Sequence, residues 1–308
     1  MNLTSHRIRS LDVIARRTAI IGEGPVWDDV SGTLHWVEIH ECRVCHLVTG
    51  QSALSTTDMG EPVGAVALVA GDDLVAATAS GFAFICDGHV SLGPRVESTD
   101  CGTRMNDGKC DPRGRFIAGT MGFDGQVGQG ALYGLFPDGG VQVLLRDVSI
   151  SNGLDWTADG RTLYYIDSLT HRIDAFDYDL ESAHLSNRRT VLEIPARNGL
   201  PDGLALDADG NLWVALFGGS TVHCYDPAGR LLSRLELPVT NVTSVTFGGR
   251  GYETLFVTSG TEGLTTSQRR DQPLAGSVFA SSPGAIGRPP NRFGALLPDL
   301  VARSLGAA

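Results

Sequence analysis

The strongest constraint on this chain is a repeat. "PVWDDVSGTLHWVEI", "KCDPRGRFIAGTM", "LDWTADGRTLYYID", "LALDADGNLWVAL" and "VTFGGRGYETLFVTSG" share one plan, and "AVALVAGDDLVAATASG" is a fainter copy. Each runs from an apolar strand through an Asp/Gly-type turn into a second strand with an aromatic or branched centre. Such turns mark tight hairpins, because Gly adopts positive φ without steric cost. The second-strand centres are Trp36, Val75, Phe116, Tyr164, Trp213 and Phe256, spaced by about 40 to 50 residues, the length of one four-stranded blade. Further strands follow, as in "HRIDAFDYD" and "STVHCYDPAGRLLSRLELP".

One such sheet cannot bury both of its faces alone, so the copies must stack around an axis. Six copies predict an all-β fold, a six-bladed β-propeller. The early strand in "SLDVIARRTAII" is expected to complete the last blade beside "AGSVFASSP" and close the ring. The expected organisation is a single domain over 1–308. Its ring covers about 10–282, and a C-terminal loop and tail cover 283–308, with one short helix at "LLPDLVARSL". A composition of 39 Gly in 308 residues, with 19% charged residues, suits short strands and tight turns.

Aligned on those centres and read back eleven to thirteen positions, the copies reach the start of each first strand. Glu23 stands there in the first copy, Arg104 with nearby Asn106 in the third, Asn152 in the fourth and Asp202 in the fifth. Gly64 and the pair Thr243 and Ser244 take the place in the second and sixth. First strands line the central channel of a propeller, so these residues are expected to converge at one mouth. Glu23, Asn152 and Asp202 share a local grammar in "GEGPVW", "SNGLDW" and "PDGLAL". Any one of them alone would be an ordinary turn former. Two carboxylates and an amide oxygen in a common register make a hard, all-oxygen ligand set suited to Ca²⁺, Mg²⁺ or Mn²⁺, with Zn²⁺ or Fe²⁺ also accepted according to supply. A cation also gives two gathered acids a reason to coexist.

A net charge of −11 argues against a nucleic-acid or anionic-membrane partner. No segment has the pattern of a signal peptide or a bilayer span, which predicts a soluble cytoplasmic protein. Cys42 and Cys45 form a C-x-x-C followed by His46, but no second half-motif accompanies them, so they read as structural. His35, His40, His46, His171 and His223 are scattered relative to the shared mouth position and read as core or surface residues.

The stretches "GEGPVWDDVSGTLHWVEI", "TRMNDGKCDPRGRFIAGTM", "SNGLDWTADGRTLYYIDS" and "PDGLALDADGNLWVAL" together resemble the SMP-30/gluconolactonase/regucalcin family of sugar-lactone hydrolases, over about Ile20 to Phe293. The resemblance implies a six-bladed propeller with one catalytic divalent metal in its central cavity. It implies that Glu23, Asn152 and Asp202 hold that metal, that Asn106 lies near it and touches substrate or metal-bound water, and that Arg104 holds substrate oxygens. In the loop "GTMGFDGQVGQGALYG" it makes Asp124 the candidate acidic residue for binding the sugar, although this loop is richer in Gly than in better-known members. Asp107 either braces its turn or contacts a ligand.

The activity expected on these grounds is hydrolysis of a sugar lactone to its aldonic acid. The metal would polarise the carbonyl and stabilise the oxyanion, with Asp202 as both ligand and base or with the water activated by the metal. No G-x-S-x-G nucleophile motif is present. Two rival readings are a promiscuous metal-dependent esterase or phosphotriesterase, and a non-catalytic calcium- or sugar-binding propeller.

Overall fold

A computed structural model describes residues 10–51, 53–97 and 102–295. Six four-stranded antiparallel sheets follow one another around a central axis, forming a six-bladed β-propeller. The inner strands are Gly22–Asp28, Val63–Leu68, Thr103–Cys110, Ser151–Trp156, Leu200–Leu206 and Asn241–Gly248. Each touches the inner strand on either side, and the last returns to the first. Trp36, Val75, Phe116, Tyr164, Trp213 and Phe256 all lie in second strands and are buried.

The hairpins are held by the aspartates that the repeat displays. Asp207 Oδ1 accepts hydrogen bonds from Asp209 N (3.0 Å) and Asn211 N (2.8 Å). Asp111 Oδ1 does the same with Arg113 N (2.9 Å) and Arg115 N (2.8 Å). These side chains replace backbone partners and fix where each first strand reverses.

The core is divided between the blades. Six apolar clusters occupy the six junctions, one for each pair of neighbouring sheets. Trp36, for example, packs with Phe256 between the first and sixth blades. The sixth blade is composite. Asn241–Gly248, Thr254–Gly260 and Val278–Ser281 come from the end of the chain, and Leu11–Ala15 adds the outer strand with Leu11 opposite Ser281 and Val13 opposite Phe279. The expected closure is therefore present.

The sequence expectation omitted two features. Among the described residues one α-helix occurs, Thr266–Asp271, in the sixth-blade loop, capped reciprocally by Thr265 and Gln268. Residues 283–295 pack across the hairpin end of the ring, where Phe293 is buried between the second and third blades and its N–H donates to Leu68 O. The helix expected at "LLPDLVARSL" lies outside the described residues.

Every inner strand carries one extra residue relative to its partner. Glu23 faces Val37 and Val26 faces His35; Ser151 faces Asp167 and Leu154 faces Tyr165; Pro201 faces Leu216 and Leu204 faces Val214. The same shift lies between Val63 and Ala65, Met105 and Gly108, and Val242 and Val245. Gly24, Gly64, Gly153 and Gly203 occupy four of these bulges, where the next blade leaves little room for a side chain, and Asn106 with Asp107 and Thr243 with Ser244 occupy the other two. A Cβ on Gly153 would lie 2.6 Å from Asp202 O, and one on Gly203 would lie 2.6 Å from Ser244 Cα. Gly153→Ala should therefore destabilise the fold by about 1–3 kcal/mol, since backbone must shift to admit the methyl group. Urea unfolding with an unchanged m-value and a lowered midpoint checks this.

Candidate metal centre

The bulges place Glu23, Asn106, Asn152 and Asp202 at the same depth in four different blades. An extra residue in one strand rotates the local backbone and re-aims its side chain. All four side chains line one cavity of about 210 Å³, together with Arg104 and Glu262. Glu23, Arg104, Asn106, Asn152 and Asp202 are buried.

A short hydrogen-bond chain orients the amides. Asn152 Nδ2 donates to Ser168 Oγ (2.8 Å), and that hydroxyl donates to Pro201 O (2.7 Å). Asn106 Nδ2 donates to Ser151 O and to Asn152 Oδ1, both at 2.9 Å. Arg104 Nη1 donates to Asn106 Oδ1 (2.6 Å) and Met105 O (3.0 Å). Asn152 thus keeps its oxygen, not its nitrogen, on the side of Asn106.

The carboxylates are left short of partners. Glu23 Oε2 accepts from Gly24 N (2.6 Å), whereas Glu23 Oε1 is buried without a hydrogen bond. Asp202 accepts no hydrogen bond among the described residues. Buried acceptors are rarely left unpaired, and each orphan costs free energy. Free oxygens on two acids beside an amide oxygen fit an oxygen-seeking divalent cation. Among the described residues no three His, Cys, Asp or Glu side chains gather as a metal site, and the third oxygen beside the two acids is the Asn152 amide. No histidine lines this cavity.

Asp124 is not brought to the cavity. It is exposed and accepts hydrogen bonds from Gln126 N (3.2 Å) and Gln126 Nε2 (2.6 Å). Asp107 faces a second cavity beyond the bulge, with Lys109, Asp155 and Arg288. Glu262 was not foreseen from the sequence. Its N–H donates to Ile20 O (3.0 Å), which pins the sixth-blade loop against the entry to the first blade. Ser168 was also missed, since its position follows a strand end that the repeat does not mark. Cys45 is buried, which pushes its thiol up to about 12, consistent with a structural role.

The sequence pattern described as the SMP-30/Gluconolactonase/LRE-like region matches residues 21–261. This chain belongs to the SMP-30/gluconolactonase family. Regucalcin of Xenopus laevis is 38% identical over 277 residues, covering 87% of this chain and 93% of that protein. Regucalcin of Homo sapiens is 40% identical over 266 residues, covering 84% and 89%. Among solved structures, a luciferin-regenerating enzyme is 31% identical with a TM-score of 0.85, covering 92% of this chain and 98% of its own. A regucalcin from Agrobacterium tumefaciens, described as a calcium-binding protein, is 28% identical with a TM-score of 0.87, covering 91% and 96%. No described helix is long and apolar enough to cross a membrane.

In this member of the family burial and neighbouring charge raise the proton affinity of both acids. Burial, then the charge of Asp107, lifts Glu23 from 4.5 to about 8, against the Gly24 N–H, the Ser244 side chain and Arg104. Asp202 is raised by burial and by Glu23, Asp107 and Glu262, with Arg104 opposing. Asp107 is raised by burial against Lys109 and the Gly108 N–H.

A carboxyl whose folded pKa is raised stays protonated in the folded chain after the unfolded chain has lost its proton. Its contribution to stability therefore falls as pH rises from about 4.5 to about 8, and levels above. For metal-stripped protein, the unfolding free energy of the wild type minus that of Glu23→Gln should decline across this window. Saturating divalent cation should remove the decline. A difference that rises with pH in stripped protein would contradict the assignment.

Proposed function

We propose that this chain is a metal-dependent lactonase that opens a sugar lactone to its aldonic acid. The observation that carries the reading is the buried, unpartnered Glu23 Oε1 sharing a cavity with Asp202 and the Asn152 amide. A propeller with a TM-score of 0.70 and 23% identity is a Xanthomonas campestris gluconolactonase, and its name agrees with this activity. The calcium-binding description of the Agrobacterium relative makes Ca²⁺ the first ion to try.

Glu23, Asn152 and Asp202 would hold the cation. The chemistry that a bound divalent cation supplies is polarisation of the lactone carbonyl and compensation of the charge developing on its oxygen. Arg104 offers Nε and Nη2, which bond no acceptor among the described residues, to the hydroxyl oxygens of the ring. Its buried guanidinium is anchored through Nη1, so it presents these groups without first losing side-chain freedom. Asn106 has spent its amide on Ser151, Asn152 and Arg104, and acts by holding the last two in register.

Asp202 is the base. Water attacks the carbonyl carbon, and an Asp202 carboxylate oxygen takes its proton as the new C–O bond forms. The acyl bond to the ring oxygen then breaks, and Asp202 returns the proton to that oxygen. One water is consumed and a hydroxy acid leaves. Burial and the charges of Glu23, Asp107 and Glu262 raise the proton affinity of Asp202, and a bound cation would lower it.

The calcium-binding description of the relative also favours a second reading, in which the site binds a cation without turnover. Calorimetric titration with Ca²⁺ joined to a pH-stat assay on lactones separates the two. Chelator-stripped protein should lose lactone hydrolysis and regain it with a divalent ion. Asp202→Asn should cost about 100-fold or more in kcat, with the fold retained by circular dichroism. Arg104→Ala should raise KM about tenfold and change kcat less. Full turnover by stripped protein would overturn the mechanism.

A further inference from the structure

We propose that the cavity selects deoxy aldonolactones, in which a methyl or methylene group stands where a common sugar lactone has a hydroxyl. This rests on the lactonase reading and narrows its substrate. Four half-buried apolar side chains line the cavity as two cross-strand pairs, Met121 opposite Ile150 and Leu200 opposite Phe217. None of the four belongs to the six core clusters, so their exposed faces are turned to whatever enters.

The polar capacity of the cavity is small and countable. Glu23, Asn152 and Asp202 are committed to the cation. Asn106 Nδ2 and the Ser168 hydroxyl have spent their donor hydrogens on the protein. The side-chain donors that remain are Arg104 Nε and Nη2, and the charged acceptor is the carboxylate of Glu262, half-exposed and 3.5 Å from His40 Nε2. Asp124, the acid expected from the sequence to add an acceptor, is bonded to Gln126 outside the cavity.

A fully hydroxylated aldonolactone carries a donor and an acceptor on every free hydroxyl. Arg104 and Glu262 can satisfy those on one edge. A hydroxyl turned towards Leu200–Phe217 or Met121–Ile150 would give up water without a replacement. A methyl group there gains burial instead. The loop that follows Met121 on the same end of the ring continues this character, with Phe123 and Val127 60% and 78% exposed.

Matched pairs isolate the single oxygen. L-rhamnono-1,4-lactone against L-mannono-1,4-lactone, and L-fucono-1,4-lactone against L-galactono-1,4-lactone, should be compared by pH-stat on metal-loaded protein. The deoxy member of at least one pair should show a kcat/KM about 10- to 100-fold higher, the range an apolar pocket achieves against an added hydroxyl. Calorimetry should likewise show L-rhamnonate binding more tightly than L-mannonate. Phe217→Tyr and Leu200→Gln should bring the ratios towards one by improving the parent sugars. Turnover of all four lactones with parent sugars equal or preferred would overturn this inference and leave the lactonase reading standing. Turnover of none of the four while D-glucono-1,5-lactone is opened would overturn this inference alone, and turnover of no lactone with any divalent ion would overturn the lactonase reading itself.

Discussion

One extra residue in each innermost strand is the device on which the site depends. Without the bulge, a strand beginning near Glu23 or Asp202 would keep strict alternation and send successive side chains towards the two neighbouring blades. With it, the polar residue turns to the axis and the following Gly faces the next blade. Gly153 against Asp202 and Gly203 against Ser244 show how little room remains. The same contact that packs the channel therefore sets the spacing of its ligands. Backbone paired in a sheet and packed against the neighbouring blades is more rigid than a loop, which favours a pre-formed site.

That rigidity has an electrostatic cost. Glu23, Asp107 and Asp202 are all buried; Asp107 raises the proton affinity of the other two, and Glu23 raises that of Asp202. Arg104 opposes this for Glu23 and Asp202, and Lys109 does so for Asp107 from the other side. A fold that gathers acids in this way holds a region of stored repulsion, released either by protons or by a cation. Affinity for the ion and discomfort of the empty cavity are two views of one free energy.

Much of this was legible in the sequence because turns and strand centres are local. Asp111 and Asp207 bind backbone a few residues away, so their hairpins announce themselves. Counting back from Trp36, Tyr164 and Trp213 reached Glu23, Asn152 and Asp202 because the blades repeat. The bulge itself was not legible, since register shifts show only when two strands are paired. Glu262 and Ser168 were missed because long-range backbone contacts, to Ile20 and Pro201, bring them in. Asp124 was placed by likeness to a loop whose conformation here is set by Gln126, a local preference that likeness does not encode. The helix Thr266–Asp271 is six residues long, too short for periodicity to reveal.

The strand Leu11–Ala15 finds its partner Val278–Ser281 only at the other end of the polypeptide. During synthesis the first blades can form while the sixth still has an open edge, and the circle is sealed last. Bringing such distant segments together is slow, because loop closure must precede its reward. Once sealed, no blade can peel away singly without exposing the flanks of two others. The molecule behaves as a hoop with a latch: sluggish to assemble, and reluctant to come apart from any point except that seam.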